Sequence, residues 1–310
     1  MISEIVSFVS FVFGFLSLSS YLLPFIIRCF YPDQNLKLVY NAEWALVTGG
    51  STGIGLEIVK RLADQGINVV VCALDDEALV NANQNLSKLY PNIEFRTVPV
   101  DLSTSNCLDI LIQHTLDLNI NLVFNNAGYI KPGLFSTLSV KDLKANFDTN
   151  AACMIPITHH YLNLMLDRKQ KGLIAFTSSS GGFIPGPMSS MYSSTKAWMT
   201  NFAAAVAAEV HESGIDVMVV HPSPIASNFF DNLNMKALKV AVKAAQHPKV
   251  IADVIWKNAG RTCVVDQGFV SVMIRLLLKV IDWNLLTEIM IVMLKGNEDY
   301  KIFKSKLKSE

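Results

Sequence analysis

An α/β fold is predicted for this chain: a doubly wound parallel sheet flanked by helices, preceded by an N-terminal membrane helix and followed by a hydrophobic C-terminal extension. Three observations predict it. Short apolar runs alternate with helical stretches from Trp44 to Val220, the alternation that builds parallel sheets. A glycine-rich turn follows the first of those runs, and 23 uncharged residues, Ile5 to Ile27, precede them all.

Composition sets the outer limits. The 310 residues suffice for one large α/β domain. Hydrophobic residues make up 51% and charged residues 17%, and mean hydropathy is +0.35. That is more apolar than an ordinary soluble domain requires, so part of the surplus should meet lipid. The 26 basic and 26 acidic residues cancel, and no cluster of Lys and Arg with aromatic residues suggests a nucleic-acid groove. Cys29, Cys72, Cys107, Cys153 and Cys263 lie far apart with no C-x-x-C pair, which argues against a disulfide framework and against a metal site and fits a reducing, cytosol-facing location.

The uncharged run comes first. At about 1.5 Å rise per residue a helix of that length crosses roughly 30 Å of hydrocarbon. A cleaved signal peptide would want a basic start and a small-residue cleavage site, whereas this chain begins Met-Ile-Ser-Glu and places Arg28 directly after the run. Ser7, Ser10, Ser17, Ser19, Ser20 and Pro24 weaken its hydropathy and leave a hairpin or interfacial helix as alternatives. Glu4 precedes and Arg28 and Lys37 follow, so the positive-inside tendency places the next domain in the cytosol.

Next, Trp44-Ala45-Leu46-Val47 reads as a buried strand, Thr48-Gly49-Gly50-Ser51-Thr52-Gly53-Ile54-Gly55 as a turn, and Ile58, Val59 and Leu62 as one face of a helix ending near Gly66. Such a turn lets a pyrophosphate approach the free amides of a helix N-terminus and lets helix and strand pack closely. A second strand is expected from Ile67 to Ala73, a helix from Asp76 to Leu89, a third strand from Ile93 to Val98 and a fourth from Leu122 to Phe124.

In this order the T-G-x-x-x-G-I-G turn, Asp101 after the third strand, and Asn125-Asn126-Ala127-Gly128 after the fourth resemble the short-chain dehydrogenase/reductase family. The resemblance implies a Rossmann domain that binds NAD(P) through Thr48, Gly49, Gly50, Ser51, Gly53, Ile54 and Gly55, with Asp101 near the adenine and Asn126, Ala127 and Gly128 along the cleft. From the residue alone, Asp101 also reads as a turn or helix cap.

The second half carries the chemistry. Tyr192 and Lys196 stand four apart at the start of an Ala-rich helix, so phenol and ammonium share a face. By the family resemblance Tyr192 is the general acid toward a substrate carbonyl, and Lys196 lowers the phenol pKa and holds the nicotinamide ribose. Ser179 stands thirteen residues before Tyr192, the family's usual spacing, and by the same resemblance would hydrogen-bond the carbonyl, with Ser178 or Ser180 as alternatives. Asn150, on a long helix, matches the family's relay residue; its plain reading is a buried amide. Pro222-Ser223-Pro224-Ile225-Ala226-Ser227 stands where the family places a Pro-Gly-x-Val-x-Thr clasp, giving Pro222 and Ile225 to the nicotinamide while lacking the glycine. His159, His160, His211 and His221 read as capping, surface or loop residues.

Cofactor preference is less clearly written. Ala73 stands where an acid would select NAD(H) and Leu74 where an arginine would select NADP(H), while Asp75 and Asp76 read as caps of the next helix. The N-terminal anchor, Glu43-Trp44-Ala45 opening the first strand, and the hydrophobic C-terminal extension resemble the very-long-chain 3-oxoacyl-CoA reductases and the type 12 17β-hydroxysteroid dehydrogenases. That likeness favours NADP(H), with NAD(H) left open, and a lipophilic carbonyl substrate, an acyl-CoA or a sterol, reached at a membrane.

From Val270 to Leu294 the chain is rich in Val, Ile, Leu and Met, but Arg275, Lys279, Asp282 and Glu288 interrupt it. It reads either as an amphipathic cover on the bilayer or as core or dimer helices. Lys306 and Lys308 in the tail resemble an endoplasmic reticulum retrieval signal. The expected division is 1–37 anchor and linker, 38–266 Rossmann domain, and 267–310 extension and tail. The activity expected is reduction of a long-chain 3-oxoacyl-CoA, with steroid or retinoid oxidoreduction and a non-catalytic scaffold as the competing readings; family dimers form through the helices bearing Asn150 and Tyr192.

Overall fold

The computed structural model describes residues 2–227 and 245–306. The lysine-rich tail beyond 306 therefore lies outside the described residues. An apolar helix α1 (Ile2–Cys29) and a short α2 (Leu36–Tyr40) precede the first strand. Then β1 (Trp44–Thr48), α3 (Gly53–Asp64), β2 (Asn68–Ala73), α4 (Glu77–Leu89), β3 (Phe95–Pro99), α5 (Cys107–Thr115) and β4 (Ile120–Asn125) alternate. They are followed by α6 (Val140–Phe147), α7 (Met154–Asp167), β5 (Gly172–Thr177), α8 (Ser190–Val210) and β6 (Ile215–Pro222). After α9 (Lys249–Asn258) and β7 (Val264–Gln267) come α10 (Gly268–Leu277), α11 (Trp283–Gly296) and α12 (Glu298–Lys306).

All strand pairings are parallel, in the order β3-β2-β1-β4-β5-β6-β7. Every residue of β1, β4 and β5 is buried, which is why these strands read as unbroken apolar runs instead of alternating ones. On one face Ile58, Val59 and Leu62 of α3 and Ile251, Ile255 and Trp256 of α9 cover the sheet, with Trp256 stacked on Phe124 at 6.0 Å between centroids. On the other, Leu111 of α5, Ile157 and Tyr161 of α7, and Met199 and Ala203 of α8 do the same. The strand order reverses between β1 and β4, which opens a crevice beyond their carboxyl ends, where ligands of such sheets bind.

Three sequence expectations change. The helix expected to carry Asn150 without interruption is broken by a π-helical turn, Asp148–Ala152, between α6 and α7. His221 is not a capping, surface or loop residue: it lies fully buried in β6, opposite Asp266 of β7, because the strand order sets those two residues in register. The uncharged N-terminal run is helical and long and apolar enough to cross a membrane, yet its last third meets the domain. Tyr21 is buried and Arg28 donates to the Val264 carbonyl at 3.0 Å. Beyond the sheet, α10, α11 and the turn between them leave Phe269, Met273, Val280, Trp283, Val292 and Met293 exposed.

Candidate active site

The crevice is a cavity of about 640 Å³. Its floor is the turn after β1. Gly49 adopts φ +64°, and a Cβ there would come within 2.9 Å of the Ala127 backbone. A Cβ on Gly55 would lie 2.0 Å from the Gly49 carbonyl oxygen, so α3 can start this close to the strand only as glycine. The first turn of α3 thereby presents its free amides to the cavity, as a pyrophosphate would need. Thr48 staples the floor to the next strand: its Oγ1 donates to the Phe124 carbonyl at 3.3 Å and accepts from the amides of Asn126 at 2.9 Å and Ala127 at 3.1 Å.

The sequence-predicted cofactor residues separate into walls and supports. Gly49, Gly53, Ile54, Asn126, Ala127, Gly128, Pro222 and Ile225 line the cavity, together with Tyr192 and Lys196. Thr48, Gly50, Ser51 and Gly55 hold the turn that those walls belong to. Asp101 stands in an exposed turn, where its carboxylate accepts from the Ser103 amide at 2.8 Å. At the end of β2, Ala73 is buried, Leu74 is exposed, and Asp76 caps α4 by accepting from the Leu79 amide at 3.0 Å.

Across the cavity stand Ser179, Tyr192 and Lys196. A hydrogen bond joins Ser179 to the Tyr192 side chain. Burial pushes the Tyr192 phenol up to about 12, against the opposing pull of Ser179, so the hydroxyl carries its proton at neutral pH. Burial pushes Lys196 down to about 7. Its Nζ donates to the Thr177 carbonyl at 2.7 Å and lies 5.7 Å from the Tyr192 ring centre. Burial dominates the shift of the phenol, and the Lys196 amine is directed at the Thr177 carbonyl.

Of the three serines, Ser178 is committed elsewhere, donating to the Lys196 carbonyl at 2.7 Å. Ser180 is buried at the start of a short 3-10 turn, leaving Ser179 as the one that meets the phenol. Asn150 does not line the cavity. Its Oδ1 accepts from the Tyr129 amide at 2.9 Å and its Nδ2 donates to the Tyr129 carbonyl at 2.8 Å. Gly128 lies between this amide and Lys196: a Cβ on it would be 3.2 Å from Asn150 Oδ1 and 3.4 Å from Lys196 Nζ. The apolar side of the cavity is Ile130, Ile184 and Pro185, with no charged side chain among them.

Sequence reasoning missed the residues behind the clasp segment. Ser223, which replaces the expected glycine, donates its hydroxyl to the Gln267 carbonyl at 2.8 Å and accepts from the Ser271 amide at 3.0 Å. The segment is thus held from β7 and α10. Among the described residues no cluster of His, Cys, Asp and Glu is arranged to hold a metal.

A family model described as short chain dehydrogenase matches residues 43–238. A very-long-chain 3-oxoacyl-CoA reductase of Mus musculus is 32% identical over 191 residues, 60% of this chain and 60% of that protein. One from Schizosaccharomyces pombe is 30% identical over 224 residues, 68% and 65% of the two chains. The match thus spans less than two thirds of either relative's length. Among solved structures, one described in work on 7beta-hydroxysteroid dehydrogenase stereoselectivity superposes with a TM-score of 0.72 at 22% identity, covering 80% of this chain and 95% of that one. A short-chain dehydrogenase from Sphingobium yanoikuyae in complex with NADPH gives 0.65 at 22% identity, covering 72% and 87%.

Proposed function

We propose, because the chain belongs to the short-chain dehydrogenase family, that it is a membrane-bound NAD(P)H-dependent carbonyl reductase acting on long-chain 3-oxoacyl-CoA in fatty-acid elongation. The observation that carries the reading is Tyr192, Ser179 and Lys196 on one wall of a cavity whose opposite floor is a glycine turn at a helix N-terminus. Names of relatives from mouse and fission yeast support the substrate class.

The cavity fits a dinucleotide where it would have to. The turn from Gly49 to Gly55 would hold the pyrophosphate, Asn126, Ala127 and Gly128 the adjoining ribose region, and Pro222 and Ile225 the nicotinamide end. The bound nicotinamide would supply a hydride to the carbonyl carbon. Ser179 would donate a hydrogen bond to the carbonyl oxygen, and Tyr192 would protonate that oxygen as charge develops on it. Lys196 would hold the ribose and return a proton toward Tyr192, with Asn150 fixing the backbone beside it. Ile130, Ile184 and Pro185 would exclude water and hold an alkyl chain. We favour NADP(H) by the likeness to the 3-oxoacyl-CoA reductases, since neither Ala73 nor Leu74 enforces a choice.

The division into anchor and linker (1–37), catalytic domain (38–266) and extension (267–310), the endoplasmic reticulum location and the cytosolic orientation belong to the same proposal. The exposed apolar side chains of α1, α10 and α11 support it, being the surface an acyl chain would cross from a bilayer. The test is turnover by full-length protein in detergent, with a long-chain 3-oxoacyl-CoA or a compact steroid ketone and with NADPH or NADH. Faster oxidation of NADPH with the thioester is expected; turnover of ring ketones alone would contradict the substrate assignment.

A further inference from the structure

Behind the cavity lies a buried polar network that the proposed reaction does not use. Asp266 of β7 is 6% exposed, and three elements converge on its carboxylate. Tyr21 of α1 donates its hydroxyl to Oδ2 at 2.9 Å, and Arg275 of α10 donates through Nε to the same oxygen at 3.2 Å. His221, its register partner on β6, sets Nδ1 3.2 Å from Oδ1. The other ring nitrogen of His221 is 2.8 Å from the Thr200 hydroxyl, one turn beyond Lys196 on α8.

Charge makes each of these contacts matter. Burial raises the Asp266 carboxyl, but His221, Arg275 and the Tyr21 hydroxyl outweigh it, so the group sits below the usual carboxylate range and is ionised. Burial holds His221 below its ordinary value, against the opposing pull of Asp266. A buried carboxylate that loses a donor leaves an unsatisfied charge, which a fold tolerates poorly.

The network touches both loops that face the ligands. His221 runs directly into Pro222 and Ser223, which line the cavity, and Ser223 is bonded to Gln267, the residue after Asp266. On the other side the Phe183 ring lies 4.4 Å from the His221 ring, inside the loop whose Gly181, Ile184 and Pro185 form the substrate wall. Arg275 caps the stack, 5.1 Å above the Phe183 ring and 5.9 Å above that of Tyr21. The docked stretch of α1 runs from Tyr21 to Arg28. That leaves residues 2–20 beyond the domain, about 28 Å of helix, close to one bilayer core.

We propose that Tyr21 is a positioning residue: its hydrogen bond to Asp266 couples the N-terminal helix to the substrate loop and the nicotinamide clasp, so that this helix shapes the active site as well as attaching it to lipid. The proposal rests on the reductase reading only for what the two loops hold. A Tyr21→Phe variant keeps the ring against Arg275 and removes one hydroxyl.

The experiment is hydrogen–deuterium exchange of the full-length protein in phospholipid nanodiscs, wild type against Tyr21→Phe, followed by steady-state kinetics. Exchange in residues 180–188 and 222–227 should quicken about fivefold or more while β3 is unchanged, and KM for NADPH and for the thioester should rise about threefold with kcat within about twofold. Unchanged exchange in both loops overturns the proposal, and so does an acceleration that β3 shares, since that is general loosening. Absence of any wild-type turnover would count against the reductase reading alone, and the exchange comparison would still decide the role of Tyr21.

Discussion

Lys196 is a lysine in an unfavourable place, and that gives it a thermodynamic signature. The unfolded chain keeps its proton up to the ordinary value of 10.5, whereas burial releases it near 7 in the folded protein. Between those values the unfolded state binds more protons, so this group makes stability rise with pH across that window, and below 7 its cost is felt in full. Lys196→Met should therefore raise the melting temperature relative to wild type at pH 6.5, with the advantage shrinking by pH 9.5; a gap independent of pH would contradict the assignment. The serines give a second contrast. Ser179→Ala should lower turnover by about a hundredfold or more, and Ser178→Ala, which loses only a brace to the Lys196 carbonyl, by less than about tenfold. The spacing to Tyr192 singled out Ser179, whereas the commitment of Ser178 follows from a helix packing that no spacing displays.

At the scale of elements, the turn from β1 into α3 is where sequence and geometry agree most closely. Gly55→Ala would set a methyl carbon 2.0 Å from a backbone carbonyl, which must displace either α3 or the strand. A loss of about 1–3 kcal/mol in stability is expected, with dinucleotide affinity falling further, measured by denaturation and by quenching of protein fluorescence. Unaltered affinity would mean that the turn does not bind phosphate. The strands were legible because a central parallel strand buries both faces, and Trp44–Val47, Val69–Val71, Leu122–Phe124 and Leu173–Phe176 show this as continuous apolar runs. The π turn at Asn150 was not legible, since inserting one residue into a helix leaves no mark in composition. His221 was misassigned for a related reason: its partner Asp266 is 45 residues away and becomes adjacent only through the register of β6 with β7.

At the scale of the whole molecule, a catalytic sheet and an apolar helix meet at Tyr21 and Arg28. Deleting residues 2–20 should release the protein from membranes on fractionation and leave its melting temperature unchanged. Deleting 2–29 removes the docked turns as well and should lower that temperature by about 2–4 °C for each kcal/mol that their docking contributes. Equal melting temperatures for the two truncations would show that the docked segment adds nothing to the stability of the fold. The proposed activity nevertheless depends on one phenol. The most direct measurement is oxidation of NADPH by detergent-solubilised full-length protein with a long-chain 3-oxoacyl-CoA, wild type beside Tyr192→Phe, with dinucleotide binding measured in parallel. The account predicts wild-type turnover, a loss of about a hundredfold or more in the variant, and binding that is retained. Equal rates in the two proteins would contradict it.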